Sequence, residues 1–145
     1  MGELVSVVIP TFNSEKEISR CLESIKGQSY DKIEIIVVDK FSQDKTEKIA
    51  KKYSAKLILD KGERAKAKNI GIANAKGEYI FFIDSDMELE KHVIRECVER
   101  MSPKTGGVVI PERSIGKTFW VKVRDYERSF YSGSIIESTR FFRLE

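Results

Sequence analysis

Two carboxylates separated by one residue, Asp84 and Asp86 of Asp84-Ser85-Asp86, stand at the end of the apolar run Tyr79-Ile80-Phe81-Phe82-Ile83. The run is short and rich in β-favouring residues, which predicts a strand buried on both faces. In extended chain, residues i and i+2 project to one side, roughly 6–7 Å apart. At ~6 Å and an effective dielectric of about 20, two such charges repel by roughly 2–3 kcal/mol. A divalent cation removes that cost, and oxygen-only ligands suit Mg2+ or Mn2+. The competing reading is that an aspartate at a strand end simply caps the next helix.

The elements that must position this pair follow a repeating order of strand, polar loop and helix. Leu4–Ile9 is an apolar, β-rich run broken by Pro10-Thr11-Phe12-Asn13. Ser14-x-x-Glu17 reads as a capping box, followed by Ile18, Cys21, Leu22 and Ile25 at helical spacing. Ile33–Val38 is a second strand that ends at Asp39, with a turn at Lys40-Phe41-Ser42. A helix over about 43–53 and a strand over Lys56–Leu59 come next. After Asp60-Lys61-Gly62 a third helix runs over about 63–75 and a fourth strand over Glu78–Ile83. Val93, Ile94, Cys97, Val98 and Met101 mark a fourth helix, and Val108–Ile110 a further strand.

This alternation predicts an α/β chain, with a Rossmann-like, mostly parallel sheet and helices on both faces. In such sheets ligands bind outside the carboxyl ends of the strands. Pro10–Asn13, Asp39 and Asp84-Ser85-Asp86 all fall at such ends, so three polar strand ends gather on one sheet edge. Asn13, Ser14 and Ser42 are placed where helix caps belong, whereas Asp39 and Asp84 come too early for caps.

Length and composition set the bounds. A chain of 145 residues is one domain with room for a sizeable core. With 41% hydrophobic and 34% charged residues it reads as soluble and globular. Its net charge of +3 comes from acids and bases mixed along the chain, which argues against a nucleic-acid binder. The balance suits an anionic small ligand or an anionic membrane surface. No apolar run reaches the roughly 18–20 residues that span a bilayer. The N-terminus lacks a basic segment followed by an apolar one, so no signal peptide is expected and the location reads as cytoplasmic. Cys21 and Cys97 fall on apolar helix faces and are expected as buried free thiols. His92 is the only histidine, which excludes the usual zinc sets.

The region after residue 115 has a different character. Phe119, Val123, Tyr126 and Phe130 share one face of a helix over 116–131, widened by Trp120 and Tyr131. Lys117, Lys122, Arg124 and Arg128 line the rest. Two readings stand. The aromatic face packs on the sheet, or a basic amphipathic helix meets a membrane surface or a lipid-linked acceptor.

The segments Val5-Ser6-Val7-Val8-Ile9-Pro10-Thr11-Phe12-Asn13, Glu34-Ile35-Ile36-Val37-Val38-Asp39 and Gly77 to Asp86 together resemble the family 2 glycosyltransferases of GT-A fold. The resemblance covers residues 4 to about 100 in order and spacing. It implies a single GT-A-like nucleotide-sugar-binding domain over 1–145. It further implies that Pro10, Thr11, Phe12, Asn13 and Asp39 line a pocket for base and ribose, with Glu15 beside them. Arg64 lies near the base or diphosphate and Lys68 supports the same charge. Asp84 and Ser85 approach the ribose or the metal's water. Asp86, with Asp84, binds the Mg2+ or Mn2+ that bridges the sugar diphosphate. For Arg64 and Lys68, a solvated helix face is an equal alternative.

The activity so implied is metal-dependent transfer of a sugar from a nucleoside-diphosphate sugar to a hydroxyl acceptor, with inversion. The acceptor is a sugar, a lipid-linked molecule or a glycan, and peripheral contact with the inner face of a membrane fits it. Two departures stand out. Where the family carries a second Asp and then Gly, this chain has Lys40 and Phe41. Lys40 is donor-only, and Phe41 does not readily take a positive φ, so a reshaped turn is expected. The acidic general base of the family lies further downstream than Glu137 or Glu145, so these residues are expected to form the donor-binding half of a longer enzyme. A non-catalytic nucleotide-sugar-binding or interaction domain is the alternative. A nucleotidyltransferase or a dinucleotide oxidoreductase is disfavoured, because no glycine-rich loop follows the first strand.

Overall fold

A computed structural model describes residues 2–130 and 139–144, and the readings of Tyr131, Glu137 and Glu145 lie outside these. The elements run β1 (Val5–Thr11), α1 (Ile18–Lys26), β2 (Ile33–Asp39), α2 (Thr46–Lys52), β3 (Lys56–Leu59), α3 (Arg64–Asn74), β4 (Tyr79–Phe82), α4 (Val93–Arg100), β5 (Gly107–Val109), α5 (Phe119–Ser129) and β6 (Thr139–Arg143). They build a mixed sheet in the order β3-β2-β1-β4-β6-β5. β1 pairs in parallel with β2 and β4, and β2 with β3. β6 runs antiparallel to both β4 and β5. The expected α/β class and mostly parallel sheet are present, and β6 is an element the sequence reading missed.

Side-chain alternation along β1 explains the two-sided core. Val5, Val7 and Ile9 face α1, α2 and α4, where Ile18, Leu22, Ile25, Ala50 and Ile94 are buried. Val8, with Ile36, Val38 and Ile80, faces α3 through Ala67. That second layer is thin because α3 comes very close at Gly71. A Cβ there would stand 2.2 Å from Val8 Cγ1. Cys21 and Cys97 are buried free thiols, as expected.

The strand order creates the site. The chain winds from β1 to β2 and β3, then crosses back to place β4 on the other side of β1. β1 and β4 thus lie side by side where the strand order reverses, and in open α/β sheets ligands bind outside the carboxyl ends at such a point.

One local expectation fails, and so does one of the two readings of the helix after residue 115. The capping box does not form, because Ser14 is committed elsewhere: its N–H donates to Thr46 Oγ1 at 2.8 Å and its hydroxyl to Phe12 O at 3.3 Å. Helix α1 starts after Glu17 with no side-chain cap. The aromatic face of α5 does not pack on the sheet. Phe119, Trp120, Tyr126 and Phe130 are 68–74% exposed. The opposite, polar side of the helix is the one that is tethered. Asp125 accepts the Ser114 N–H at 2.8 Å and pairs with Arg113 at 3.3 Å, while Arg128 pairs with Glu112 at 3.6 Å.

Candidate active site

The loops after β1 and β2 are zipped together by short polar side chains. Asp39 is fully buried at the end of β2. Its carboxylate accepts Thr11 Oγ1, Ser42 N and Ser42 Oγ, each at 2.6 Å. Asn13 N–H donates to Ser42 Oγ at 2.8 Å, and Asn13 Oδ1 accepts Gln43 N–H at 2.9 Å. Glu15 N–H donates to Asp44 at 3.0 Å, and the Glu15 carboxylate accepts Lys45 N–H at 2.9 Å. Asn13, Ser14 and Ser42 thus serve as loop-to-loop links and not as helix caps. Burial raises the Asp44 carboxyl, but hydrogen bonds from Thr46 and from the Glu15 N–H outweigh it and hold it below the usual range.

This zipper overturns the expectation for Phe41. Its φ is 53°, in the left-handed region, as is that of Asn13 at 47°. For a bulky residue that conformation costs roughly 1–2 kcal/mol. The Ser42 bonds to Asp39 close the turn and offset the strain, since hydrogen bonds to a charged group contribute about 1.5–3 kcal/mol. Phe41 therefore adopts the conformation a glycine would, and it stays 45% exposed with Lys61 Nζ 5.8 Å from its ring. Lys40 turns to Glu63 at 2.6 Å and lies 5.9 Å from the ring of Phe12, which is 57% exposed. Its ammonium holds the Glu63 carboxyl below the usual range.

The carboxyl end of β4 carries the second half of the site. β4 stops at Phe82, and a turn follows in which Met87 N–H donates to Asp84 O at 3.0 Å. Asp84 and Asp86 thus do not alternate along extended chain, contrary to the i, i+2 expectation. Asp84 is half-buried and Asp86 is exposed. Ser85 Oγ donates to Ser14 Oγ at 2.9 Å, which joins this turn to the loop after β1. Beneath it lies Cys21, whose thiol is pushed up to about 12 by burial first and then by Asp86, Asp84 and Glu88. That thiol is no nucleophile.

Two guanidiniums bracket Asp84. Arg64, the first residue of α3, reaches Oδ1 at 3.6 Å. Arg140, on β6, faces Oδ2 with both Nη atoms at 3.5 Å. The Nε of Arg140 donates to Glu112, whose other oxygen pairs with Arg128. Arg64, Arg128 and Arg140 face Asp84 and Glu112, and Asp86 in the same turn makes three carboxylates to three guanidiniums. Lys68 does not reach Asp84, and its Nζ sits 5.2 Å from the ring of Phe82. Pro10 stays in the ladder opposite Val38. Arg140 and Glu112 are the residues that sequence reading missed as partners of this site. No local pattern marked them, since Phe141 and Phe142 are adjacent and break the alternation of a half-buried strand, and Glu112 lies outside any helix or strand.

Comparison with known proteins places these features in a family. Residues 6–144 match the sequence model of glycosyl transferase family 2. The glycosyltransferase GlyG of Streptococcus pneumoniae serotype 4 is 39% identical over 117 residues, covering 76% of this chain and 39% of GlyG. The crystal structure of S. aureus TarS 1-349 superposes with a TM-score of 0.68 at 25% identity, covering 97% of this chain and 47% of that one. TarS 1-349 has also been solved in complex with UDP. The mannosyltransferase PcManGT of Pyrobaculum calidifontis, in complex with GDP-Man and Mn2+, superposes with a TM-score of 0.72 at 26% identity, covering 79% of this chain and 37% of that one. The chain spans less than half the length of each of these relatives. From the match over nearly its whole length and the shared sheet, this chain belongs to glycosyl transferase family 2 and has the fold of the N-terminal part of a GT-A enzyme.

Proposed function

We propose that these residues form the donor side of an inverting glycosyltransferase that moves a sugar from a nucleoside diphosphate to a hydroxyl acceptor with the help of Mg2+ or Mn2+. The observation that carries this reading is the Asp84 carboxylate held between Arg64 and Arg140 at the switch point of the sheet. The complexes of TarS with UDP and of PcManGT with GDP-Man and Mn2+ support it by analogy.

The side chains fit a divalent ion of limited demands. Asp84 and Asp86 offer hard carboxylate oxygens, and among the described residues no cluster of three or more His, Cys, Asp or Glu stands ready as a metal cage. One or two carboxylates with substrate phosphates and water is the usual Mg2+ arrangement. In this reading Asp86, with Asp84, holds the ion. When bound, the ion neutralises charge that develops on the departing diphosphate.

The chain's own groups bind and orient. Arg64, whose side chain is 70% exposed, offers two parallel N–H donors to a phosphate. The exposed ring of Phe12 offers a flat face to the nucleoside base. Asp39, which accepts three hydrogen bonds from Thr11 and Ser42, keeps the two loops in register. Inversion is a single displacement: the acceptor oxygen forms its bond to the anomeric carbon as the bond to the diphosphate oxygen breaks. The acceptor proton must pass to a general base. In this reading that base comes from outside residues 1–145, and the reaction takes place in the cytoplasm.

Calorimetric titration of UDP and of GDP, with Mn2+ and then with EDTA, tests the reading. Metal-dependent binding of one diphosphate, abolished by Asp86→Asn, is the expected result. A folded protein that binds neither nucleotide would overturn it.

A further inference from the structure

Arg140 makes an arrangement that packing does not require. Strand β6 is already anchored to β4 through Phe141, which is fully buried and packs obliquely on Tyr79 and edge-to-face on Phe81 at centroid distances of 5.3 and 5.9 Å. The Arg140 side chain is nevertheless only 13% exposed and lies between the carboxylates of Asp84 and Glu112. Burying such charges is a poor route to stability, because the desolvation cost cancels most of the attraction.

The geometry gives the guanidinium a directional task. Its Nε edge is committed to Glu112, which fixes the plane. Its two Nη atoms then meet Asp84 Oδ2 end-on. Oδ2 is thereby held inward, and Oδ1 is left toward Arg64 and solvent. Behind Glu112 stands Arg128, so the second carboxylate is itself held from the far side.

We infer that Arg140 is a positioning residue that sets the rotamer of Asp84 and presents its Oδ1 to the cation that accompanies the donor, with Glu112 as the brace. The inference rests on the donor-binding reading above and adds to it a residue from a distant strand. Lysine cannot replace this arginine, since one ammonium does not supply an Nε edge to one carboxylate and a pair of Nη atoms to another.

The test is calorimetry of UDP and GDP with Mn2+ on the wild type and on Arg140→Gln, Arg140→Lys, Glu112→Gln and Arg143→Gln, each checked for folding by circular dichroism. Arg140→Gln and Arg140→Lys should both weaken binding about tenfold or more, the scale of a lost charged hydrogen bond. Glu112→Gln should weaken it several-fold. Arg143, exposed on the same strand and turned to Tyr79, should not matter. Wild-type affinity in Arg140→Gln, or full rescue by Arg140→Lys, overturns the positioning role. If Arg140→Gln does not fold, the lysine and Glu112 variants decide alone. A wild type that binds neither nucleotide defeats the donor reading itself, whereas a wild type that binds alongside equally competent Arg140 variants defeats only this inference.

Discussion

Helices α1 and α5 are similar in length and both are amphipathic, yet they meet the protein in opposite ways. α1 buries Ile18, Cys21, Leu22 and Ile25 against the sheet. α5 buries no residue, and its stripe of Phe119, Val123, Tyr126 and Phe130 faces outward. The aromatic rings there cover one another, with Tyr126 and Phe130 at 4.9 Å and Phe119 and Trp120 at 5.4 Å. The lesson is that helical spacing of apolar residues announces a face but not its direction. In α1 the hydrophobic effect orients the helix; in α5 ion pairs from Glu112 and Arg113 do so.

The sharpest way to break this contrast is to truncate one aromatic on each side. Phe141→Ala, in the core, should cost about 3–5 kcal/mol. Tyr126→Ala, on α5, should stay within about 0.5 kcal/mol. Urea denaturation of the two variants decides, and comparable losses would mean that the α5 stripe is packed in solution.

A smaller effect separates the tethers from the core by pH. The Ser114 N–H above all, with Arg113 and Arg128, holds the Asp125 carboxyl below its usual range against the opposing effect of burial. A lowered folded pKa means that its contribution is complete above the ordinary carboxylate pKa and lost as pH falls through the folded one. Hydrogen exchange should therefore show α5 amides losing protection in acid before those of α1. Asp125→Asn should remove that pH dependence and leave α1 unchanged.

The smallest expected effect concerns the loop zipper. Phe41→Gly relieves the left-handed strain but loosens the unfolded chain, so the two terms oppose. The net change in a thermal melt should lie within about 1 kcal/mol. A larger loss would mean that the Phe41 ring, beside Lys61, does more than occupy a turn.

Much of the frame was legible because the first four strands and the helices between them carry their own periodicity. The strands at Ile33–Asp39 and Lys56–Leu59 fall where their apolar runs lie. Legibility failed where a residue's partner was distant in sequence. Ser14-x-x-Glu17 has the pattern of a capping box, but Thr46 claims the Ser14 N–H. Phe41 was expected to refuse a positive φ, but the Asp39–Ser42 bonds impose one. Arg64 is near Asp84 and Lys68 is not, although both start from the same helix face.

By itself the sequence determined the alternation of strands and helices, the carboxyl-end position of Asp39, Asp84 and Asp86, and the family resemblance. These rest on interactions between near neighbours along the chain, which periodicity and turn chemistry record. Tertiary structure alone decided that β6 returns antiparallel beside β4, that Arg140 thereby meets an aspartate 56 residues earlier, and that α5 turns its aromatic side outward. The energies that settle those outcomes come from pairs of groups far apart in the chain, and no local pattern encodes which two will meet.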